Sequence, residues 1–308
     1  MAKIPATEFI WKNGDFIKWD DAQVHLLAHS VQFGSAVFEG IRCYSTPKGP
    51  AIFRLREHLK RMFNSCRIYR MPVDYSMEQL VDAARGVVRR NRMESCYVRP
   101  MVLRGYGAAG MVPFESPVEV YIPCWKWGAY LGEDALAKGV DACVATWHRV
   151  APNTIPAMAK IAGNYLNGQL IKMEALSNGY DEAIALSTDG MISEGSGQNL
   201  FAVSEGVLYT PPIDGTILPG ITRDTVITLA AELGIRVAVQ PLSREVLYTS
   251  DELFVCGTAS EVTPLKSVDR IQVGAGKPGE ITRAIQKRFL DIVNGTAEDT
   301  HGWMTFVN

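Results

Sequence analysis

One lysine lies in a segment whose composition suits covalent cofactor chemistry. Lys160 stands within PNTIPAMAKIAGNY at residues 152–165, where most of its neighbours are apolar. Apolar surroundings disfavour the charged ammonium, so they lower the pKa of a lysine and make its neutral amine available to a carbonyl group. The alternative is a lysine at the start of a helix, with its alkyl chain on the protein surface and its charge in water. This segment taken alone favours that alternative.

A glutamate about thirty residues further on could serve the same chemistry. Glu194 lies in ISEGSGQNLF at residues 192–201. A carboxylate there could hold a pyridine nitrogen in its protonated form, which makes the ring an electron sink. Glycines on both sides of Ser196 permit close approach of the backbone to a flat ligand, although glycines also simply form turns. A solvated glutamate in a turn is therefore the alternative.

Three further features could bind an anion such as a phosphate. LPGITRD at residues 218–224 opens a predicted helix, whose first N–H groups and positive dipole end attract anions. Thr222 in this segment could instead be no more than the N-cap. CGTASE at residues 256–261 follows a predicted strand and could present a second set of N–H groups. Arg61 lies beside the apolar stripe of a predicted helix, where it is either a phosphate ligand with forked donors or a surface arginine.

The composition restricts the class of protein. A chain of 308 residues is long enough for two domains, and its net charge of -2 provides no basic excess for binding nucleic acid. The six cysteines are scattered without a Cys-x-x-Cys pair, so we expect buried thiols and no metal site. No apolar signal core opens the chain, and no apolar run approaches the ~20 residues of a membrane span. We therefore predict a cytoplasmic protein that contacts neither nucleic acid nor membrane.

Two local signals fix the ends of elements in the first half of the chain. Asn13 and Gly14 supply the positive φ angles of a tight type I′ turn, so a hairpin is predicted over residues 9–19. Ser76 and Gln79 form a capping-box pattern, which predicts the start of a helix.

The hydrophobic pattern predicts strands and helices in mixed order. The predicted strands cover residues 51–54, 97–103, 118–122, 140–147, 183–186, 200–203, 207–210, 237–241 and 252–256. The predicted helices follow residue 55 and residue 76, cover 161–176 and 222–233, and include a C-terminal helix around 281–292. Because this order lacks the regular alternation of a doubly wound sheet, we predict an α+β fold. Residues 125–130 break the pattern and are the predicted linker between one domain over residues 1–130 and another over residues 131–308.

Four blocks in the chain resemble the branched-chain amino acid aminotransferases, which are pyridoxal-phosphate enzymes of fold type IV. The blocks are VFEGIRCY at residues 37–44, PNTIP at 152–156, SEGSGQNLF at 193–201 and LPGITR at 218–223. The resemblance covers nearly the whole chain. It implies a small N-terminal α+β domain, a larger C-terminal cofactor-binding domain and an active site between them. It also implies a homodimer or higher homo-oligomer, in which a loop near residues 106–111 approaches the neighbour's site.

The resemblance also implies a role for individual residues. It makes Lys160 the partner of the Schiff base with pyridoxal 5′-phosphate and the proton shuttle, Glu194 the neighbour of the pyridine nitrogen, and Tyr165 the partner of the ring hydroxyl. The positions that bind the cofactor phosphate are matched by Arg61, Ile221, Thr222 and Thr258. The positions around the substrate are matched by Phe38, Tyr97, Arg99, Trp127, Tyr130, Thr258 and Ala259.

The implied activity is amino-group transfer between L-leucine, L-isoleucine or L-valine and 2-oxoglutarate, which gives the branched-chain 2-oxo acid and L-glutamate. Two alternatives share the fold, a D-amino acid transaminase and an aminodeoxychorismate lyase. An alternative of another class is a non-catalytic protein that binds a cofactor or an anion, with Lys160 merely structural. The chain departs from the family at Phe33, where the family usually has tyrosine, and at Gln198, where it usually has glutamate. The first change removes a hydroxyl near the substrate, and the second alters the charge around the cofactor.

Overall fold

The computed structural model describes residues 4–128, 131–132 and 134–308, and the chain divides into two compact units. The first unit is made of Met1–Trp127, Ala159–Gly163 and Asp291–Asn308, and the second of Gly128–Met158 and Asn164–Leu290. The short segment that carries Lys160 thus belongs to the first unit. A boundary between residues 130 and 131 stays a prediction, since residues 129, 130 and 133 lie outside the described part of the chain.

Helices and strands follow one another in mixed order. The helices are α1 (His29–Phe33), α2 (Leu55–Ile68), α3 (Met77–Arg90), α4 (Ala135–Lys138), α5 (Tyr165–Ser177), α6 (Ile221–Glu232), α7 (Val246–Thr249) and α8 (Glu280–Val293). The strands of the first half are β1 (Phe9–Lys12), β2 (Asp15–Lys18), β3 (Ala36–Phe38), β4 (Ile41–Thr46), β5 (Gly49–Phe53), β6 (Cys96–Val98), β7 (Met101–Arg104), β8 (Val118–Ile122) and β9 (Cys124–Trp125). Those of the second half are β10 (Val140–Val144), β11 (Glu182–Leu186), β12 (Ile192–Gly195), β13 (Asn199–Ser204), β14 (Val207–Thr210), β15 (Val237–Val239), β16 (Glu252–Gly257), β17 (Glu261–Val268), β18 (Ile271–Gln272) and β19 (Met304–Phe306).

Two five-stranded antiparallel sheets form the first unit, with strand orders β2-β1-β8-β7-β3 and β19-β5-β4-β6-β9. Helices α2 and α3 bury one apolar face each in a core shared with these strands, and Leu59, Leu80 and Val98 are fully buried there. Strand β19 comes from the far end of the chain and pairs with β5. The first unit is therefore completed by a strand from the far end of the chain.

The second unit is built on one mixed sheet with the order β12-β11-β10-β17-β16-β13-β14-β15, and β18 pairs with β17. Strand β10 is parallel to both β11 and β17, while β13, β16 and β17 are antiparallel neighbours. Helix α6 packs Val226 and Ala230 against the stacked rings of Phe201 and Phe254. Helices and mixed sheets in both units confirm the predicted α+β class. Among the described residues, no helix is both long enough and apolar enough to span a membrane.

Local end signals were predicted correctly. Asn13 and Gly14 have φ angles of 46° and 103° and connect β1 to β2. The Ser76 hydroxyl accepts the Gln79 N–H while the Gln79 side chain accepts the Ser76 N–H, so the capping box opens α3. Gly234 has a φ of 71° just after α6, as a glycine that ends a helix does.

Three predicted elements need correction. The single strand predicted over residues 97–103 is two strands of different sheets, because Pro100 lacks an N–H donor and restricts the residue before it. The helix predicted from residue 161 begins at Tyr165, after a 3₁₀ turn over Ala162–Asn164. The segment around Glu194, considered as a turn, is the buried strand β12.

Candidate active site

The amine of Lys160 lies in a setting that favours its neutral form. The residue is partly buried, and its Nζ lies 4.9 Å from the centroid of the Phe38 ring. Burial, reinforced by the positive charge of Arg61, lowers the pKa of the Lys160 amine to about 8, although the charge of Glu39 acts in the opposite direction. A large fraction of the amine is therefore neutral near pH 8 and able to attack a carbonyl carbon.

Backbone hydrogen bonds hold Lys160 within the first unit. Its N–H donates to the Ser65 hydroxyl at 3.0 Å, and its carbonyl accepts the Phe38 N–H at 3.0 Å. Ile161 forms an antiparallel bridge with Val37, so this segment extends the edge of β3. Lys160 is thus attached at once to β3 and to α2, which fixes the origin of its side chain.

A buried cluster of Glu39, His58 and Arg61 lies beside this lysine segment. Arg61 binds the Glu39 carboxylate side-on, from Nε to Oε1 and from Nη2 to Oε2 at 2.7 Å each. Burial raises the pKa of the Glu39 carboxyl, but Arg61 and His58 outweigh burial and hold that pKa well below its usual range. Because an ionised carboxylate only accepts, the His58 Nδ1 at 2.7 Å must carry the proton. Burial lowers the pKa of His58, so its ring stays neutral.

This geometry refines the predicted role of Arg61. The side-on pairing with Glu39 uses the Nε proton and one Nη2 proton, and it fixes the orientation of the guanidinium. Arg61 is also not the surface arginine of the alternative, because only 11% of its side chain is exposed. A guanidinium of fixed orientation suits a phosphate, since its donors are oriented before the anion arrives.

The first unit brings together four of the residues predicted around the substrate. The guanidinium of Arg99 lies 4.9 Å from the Phe38 ring centroid and 5.3 Å from that of Tyr97. Tyr97 stacks on Trp127 with 4.6 Å between ring centroids. Gly40 makes this packing possible, because a methyl group at that position would overlap the Tyr97 hydroxyl. Arg99 and Lys160 therefore both face the Phe38 ring, which places a cation and an amine in one aromatic cluster.

In the second unit, Glu194 lies in β12 and is only 5% exposed. One carboxylate oxygen pairs with Arg149 Nη2 at 3.0 Å. The other accepts the Leu218 N–H at 3.1 Å and Asn199 Nδ2 at 3.2 Å. Three donors stabilise the ionised carboxylate, so the alternative of a solvated turn glutamate is wrong.

Helix α6 begins beside this carboxylate. Its N-cap is Gly220 and no side chain caps it, so Thr222 is a buried residue of the first turn and not the N-cap. A methyl group at Gly220 would overlap the Asn199 side-chain oxygen, so the helix start packs directly on the residue that binds Glu194. The positive end of α6 and the Glu194 carboxylate are thereby fixed relative to each other.

Two glycine-bearing turns lie against each other nearby. Thr258 and Ala259 form the turn between β16 and β17 and are partly buried. A Cβ on Gly257 would lie 3.7 Å from the Gly197 carbonyl oxygen, so this turn contacts the one that follows Glu194. Tyr165 is the first residue of α5, and a methyl group on Gly168 one turn later would overlap the Ser196 carbonyl. The second unit thus groups these predicted residues around the turn that follows Glu194.

Two positions singled out in the sequence remain, Tyr130 and Gln198. Tyr130 lies outside the described residues. Gln198 donates to Glu182 at 2.9 Å and accepts the Gly197 N–H at 3.1 Å, and Glu182 is also paired with Lys172 at 2.9 Å. The amide of Gln198 is therefore engaged with a buried ion pair beneath the turn.

Sequence reasoning missed the residues that hold the predicted ones in place. Ser65, His58 and Arg149 each bind a predicted residue or its neighbour through a contact between distant parts of the chain, whereas Asn199 binds Glu194 from five positions away. Glu39 is buried with both oxygens bonded, and its only sequence signal is its place in the block that carries the resemblance. Asn199 lies in the block at residues 193–201, whereas no local pattern marks Ser65, His58 or Arg149, because their partners are set by the tertiary fold.

The chain matches known proteins over nearly its whole length. The family profile described as "Amino-transferase class IV" matches residues 36–268. The branched-chain-amino-acid aminotransferase of Escherichia coli is 50% identical over 302 residues, which are 98% of each chain. That of Pseudomonas aeruginosa is 43% identical over 298 residues, which are 97% of each chain.

Solved structures agree with these matches. A crystal structure of the Escherichia coli enzyme has a TM-score of 0.96 and 50% identity, and the match covers 98% of this chain and 100% of that one. The branched-chain amino acid aminotransferase of Thermobaculum terrenum, in its PLP holo form, has a TM-score of 0.92 and 35% identity, with 98% of this chain and 99% of that one covered.

The described residues have the chemical groups that pyridoxal phosphate requires. The first unit provides an amine whose pKa is lowered to about 8 and an arginine fixed by a buried carboxylate. The second provides a buried ionised carboxylate for a ring nitrogen and the start of α6 for a phosphate. Two buried polar atoms, Arg99 Nε and Ser260 Oγ, have no hydrogen-bond partner among the described residues, and a bound polar ligand would satisfy such atoms.

The lowered pKa of Lys160 predicts how its amine reacts in cofactor-free protein. Only the neutral amine is acylated, and its fraction rises as pH rises through about 8. Limited acetylation over a pH series, with peptide mass spectrometry, should show labelling of Lys160 that levels off above a midpoint of about 8. The exposed Lys48 in the same digest corrects for loss of reagent. A midpoint at the ordinary lysine value of about 10.4 would contradict this setting.

Proposed function

Because the chain belongs to the branched-chain-amino-acid aminotransferases of amino-transferase class IV, we propose that it exchanges amino groups between branched-chain amino acids and 2-oxoglutarate. The donors would be L-leucine, L-isoleucine and L-valine, and the products the branched-chain 2-oxo acid and L-glutamate. The observation that carries the proposal is the partly neutral amine of Lys160 beside Phe38 and within the charge field of Arg99. An amine that can attack a carbonyl, next to apolar rings and a cation, suits both kinds of substrate.

Several of the predicted residues would hold the cofactor. The Lys160 amine would bind the aldehyde carbon, and the Tyr165 hydroxyl would bond the ring hydroxyl. Arg61, Thr222, Thr258 and the N–H of Ile221 would bind the phosphate, since charged donors and a helix start are the usual ligands of a dianion. When bound, pyridoxal phosphate takes up the electron pair that the substrate's α-carbon gains on losing its proton.

Lys160 would also move the proton. Burial and the charge of Arg61 lower the pKa of its amine to about 8, so it would be a base matched to a working pH near that value. Its Nζ would accept the proton from the α-carbon of the amino donor and would give it up again later in the exchange. The ring of Phe38 at 4.9 Å from Nζ would keep water away on one side. The backbone bonds of Lys160 to Ser65 and Phe38 would limit the positions that Nζ can reach.

Glu194 would hold the proton of the pyridine nitrogen. Its carboxylate is kept ionised by Arg149 and by the Leu218 N–H, so it can accept a hydrogen bond from a protonated ring nitrogen. A hydrogen bond to a buried acceptor of fixed charge is stronger here than in water, because the local dielectric is low. This contact would stabilise negative charge on the ring.

The substrate pocket would combine an aromatic wall with one cation. Phe38, Tyr97 and Trp127 present rings to a branched aliphatic side chain. Arg99 would bind the side-chain carboxylate of glutamate or 2-oxoglutarate, and its Nε has no partner among the described residues. Thr258 and Ala259 would meet the α-carboxylate with backbone donors, and we propose Tyr130 as a further wall residue.

The amino-donor specificity of the purified holoenzyme tests this function directly. With 2-oxoglutarate as acceptor, L-leucine, L-isoleucine and L-valine should form L-glutamate faster than other donors, since their side chains fill an apolar pocket. D-Leucine serves as the matched control and should give no turnover. Turnover of D-leucine in place of L-leucine, or none with any branched-chain donor, would overturn the proposal.

Glu194→Gln tests the mechanism apart from binding. Glutamine keeps the shape of the side chain but removes its charge, so the cofactor should remain bound. Loss of one charge-stabilising contact at a reacting centre should slow the half-reaction with L-leucine ~10²–10³-fold. Single-turnover absorbance measurements follow this step. The control is Glu205→Gln, at an exposed turn glutamate of the same unit, which should leave the rate unchanged. A Glu194→Gln half-reaction as fast as the wild type's would refute the role.

An exposed apolar surface of the first unit predicts at least a dimer. Leu26 and Met111 are 76% and 78% exposed, and the rings of His25 and Tyr106 hold their two segments together with centroids 4.3 Å apart. A patch of this kind usually marks an interface between chains. Met111→Asp should shift the oligomer toward monomer in light scattering and lower activity. Ile4→Asp, at an exposed apolar residue outside these two segments, is the control. A fully active monomer of the unchanged chain would contradict the assembly.

A further inference from the structure

Hydrogen bonds through Ser65 join the reactive lysine to the arginine of α2. The Lys160 N–H donates to Ser65 Oγ at 3.0 Å, and the Ser65 hydroxyl donates to the Arg61 carbonyl at 2.9 Å. Ser65 lies one helical turn after Arg61, so its hydroxyl reaches the carbonyl four residues earlier in the ordinary way. Accepting the N–H of Lys160, which is 95 residues away in the chain, is what sets Ser65 apart.

A second path through Glu39 closes a ring. Arg61 binds the Glu39 carboxylate with two hydrogen bonds of 2.7 Å. The preceding residue, Phe38, donates its N–H to the Lys160 carbonyl at 3.0 Å. Lys160, Ser65, Arg61 and the Phe38–Glu39 pair therefore form one closed circuit, in which both backbone polar groups of Lys160 are used.

Burial makes this ring rigid. Ser65 and Glu39 are both 0% exposed, so water does not compete for their hydrogen bonds. The Ser65 hydroxyl has one proton, which it gives to Arg61, and its oxygen accepts from Lys160. If the hydroxyl is lost, the Lys160 N–H loses this buried acceptor, which costs free energy of desolvation, whereas the Arg61 carbonyl still accepts a backbone N–H within α2.

We propose that Ser65 is a positioning residue of the transamination site, whose hydroxyl fixes the distance between the Lys160 amine and the Arg61 guanidinium. This inference rests on the proposed function. A rigid cofactor that is held covalently at its aldehyde and by charge at its phosphate gains from two anchors only if both fit at once. Ser65 touches neither anchor's reactive atoms and acts through the backbone of both residues.

The gain in binding affinity that the phosphate provides measures how Lys160 and Arg61 act together as anchors. Pyridoxal and pyridoxal phosphate both offer an aldehyde to Lys160, but only the second offers a phosphate to Arg61. The dissociation constant of pyridoxal divided by that of pyridoxal phosphate, both measured with the cofactor-free full chain, therefore reports how well the two anchors fit together. Ser65→Ala should lower this ratio about three- to tenfold, as expected for loss of one buried hydrogen bond. A role in stability alone would leave the ratio unchanged.

Three variants make the test specific. Cys66→Ala, at the next buried residue of α2, controls for general loss of packing and should keep the wild-type ratio. Ser65→Thr retains the hydroxyl and should restore the ratio. Ser65→Cys has a weak thiol donor and should lower the ratio in the same direction as Ser65→Ala, so it replaces that variant if Ser65→Ala does not fold.

The outcomes separate this inference from the proposed function. An unchanged ratio in Ser65→Ala or Ser65→Cys, or an equal fall in Cys66→Ala, overturns the positioning role while leaving the activity proposal intact. Failure of the unchanged enzyme with branched-chain donors overturns the activity, whatever the ratio shows. A fall in the ratio confined to the Ser65 variants that lack a hydroxyl supports the ring as the device that aligns the two anchors.

Discussion

The need to keep one amine partly uncharged beside a cation is the constraint on which the first unit depends. Burial and the charge of Arg61 together lower the pKa of the Lys160 amine to about 8. An arginine that is 11% exposed is itself costly unless its charge is compensated, and the buried Glu39 provides that compensation. The Glu39 carboxylate lies side-on to Arg61 and also accepts a hydrogen bond from the neutral ring of His58. The negative charge of Glu39 therefore balances the positive charge of Arg61.

The second unit solves the opposite problem, since it must keep a buried carboxylate charged. Arg149, the Leu218 N–H and Asn199 surround Glu194 with donors, and together they stabilise the anion. Close packing fixes these donors, because Gly220 leaves room for Asn199 at the start of α6. The two clusters thus have opposite effects on their central groups. The one around Lys160 lowers the proton affinity of a base, and the one around Glu194 preserves the charge of an acid. A transaminase requires both, for proton transfer and for stabilising the charge that proton transfer creates.

The sequence predicted well those features that depend on neighbouring residues, such as the capping box at Ser76 and the turn at Asn13. It failed where distant segments decide, as in β19, which pairs with β5, and in the break at Pro100 between two sheets. The site follows the same rule. Local composition favoured structural alternatives for Lys160 and Glu194, and only the joint occurrence of four blocks pointed to their proposed roles. Neither local composition nor the four blocks indicated Ser65, since its partner Lys160 lies 95 residues away and nothing in its local sequence marks it.

The most direct test of the central claim, that Lys160 is the residue that binds the cofactor, is chemical mapping of the attachment site. The full chain is saturated with pyridoxal phosphate, reduced with borohydride to make the bond permanent, and digested for peptide mass spectrometry. We expect the reduced cofactor on the peptide that contains Lys160, and none on that position in Lys160→Arg. Stoichiometric attachment to any other lysine, with Lys160 unmodified, would contradict the role of Lys160 and the mechanism built on it.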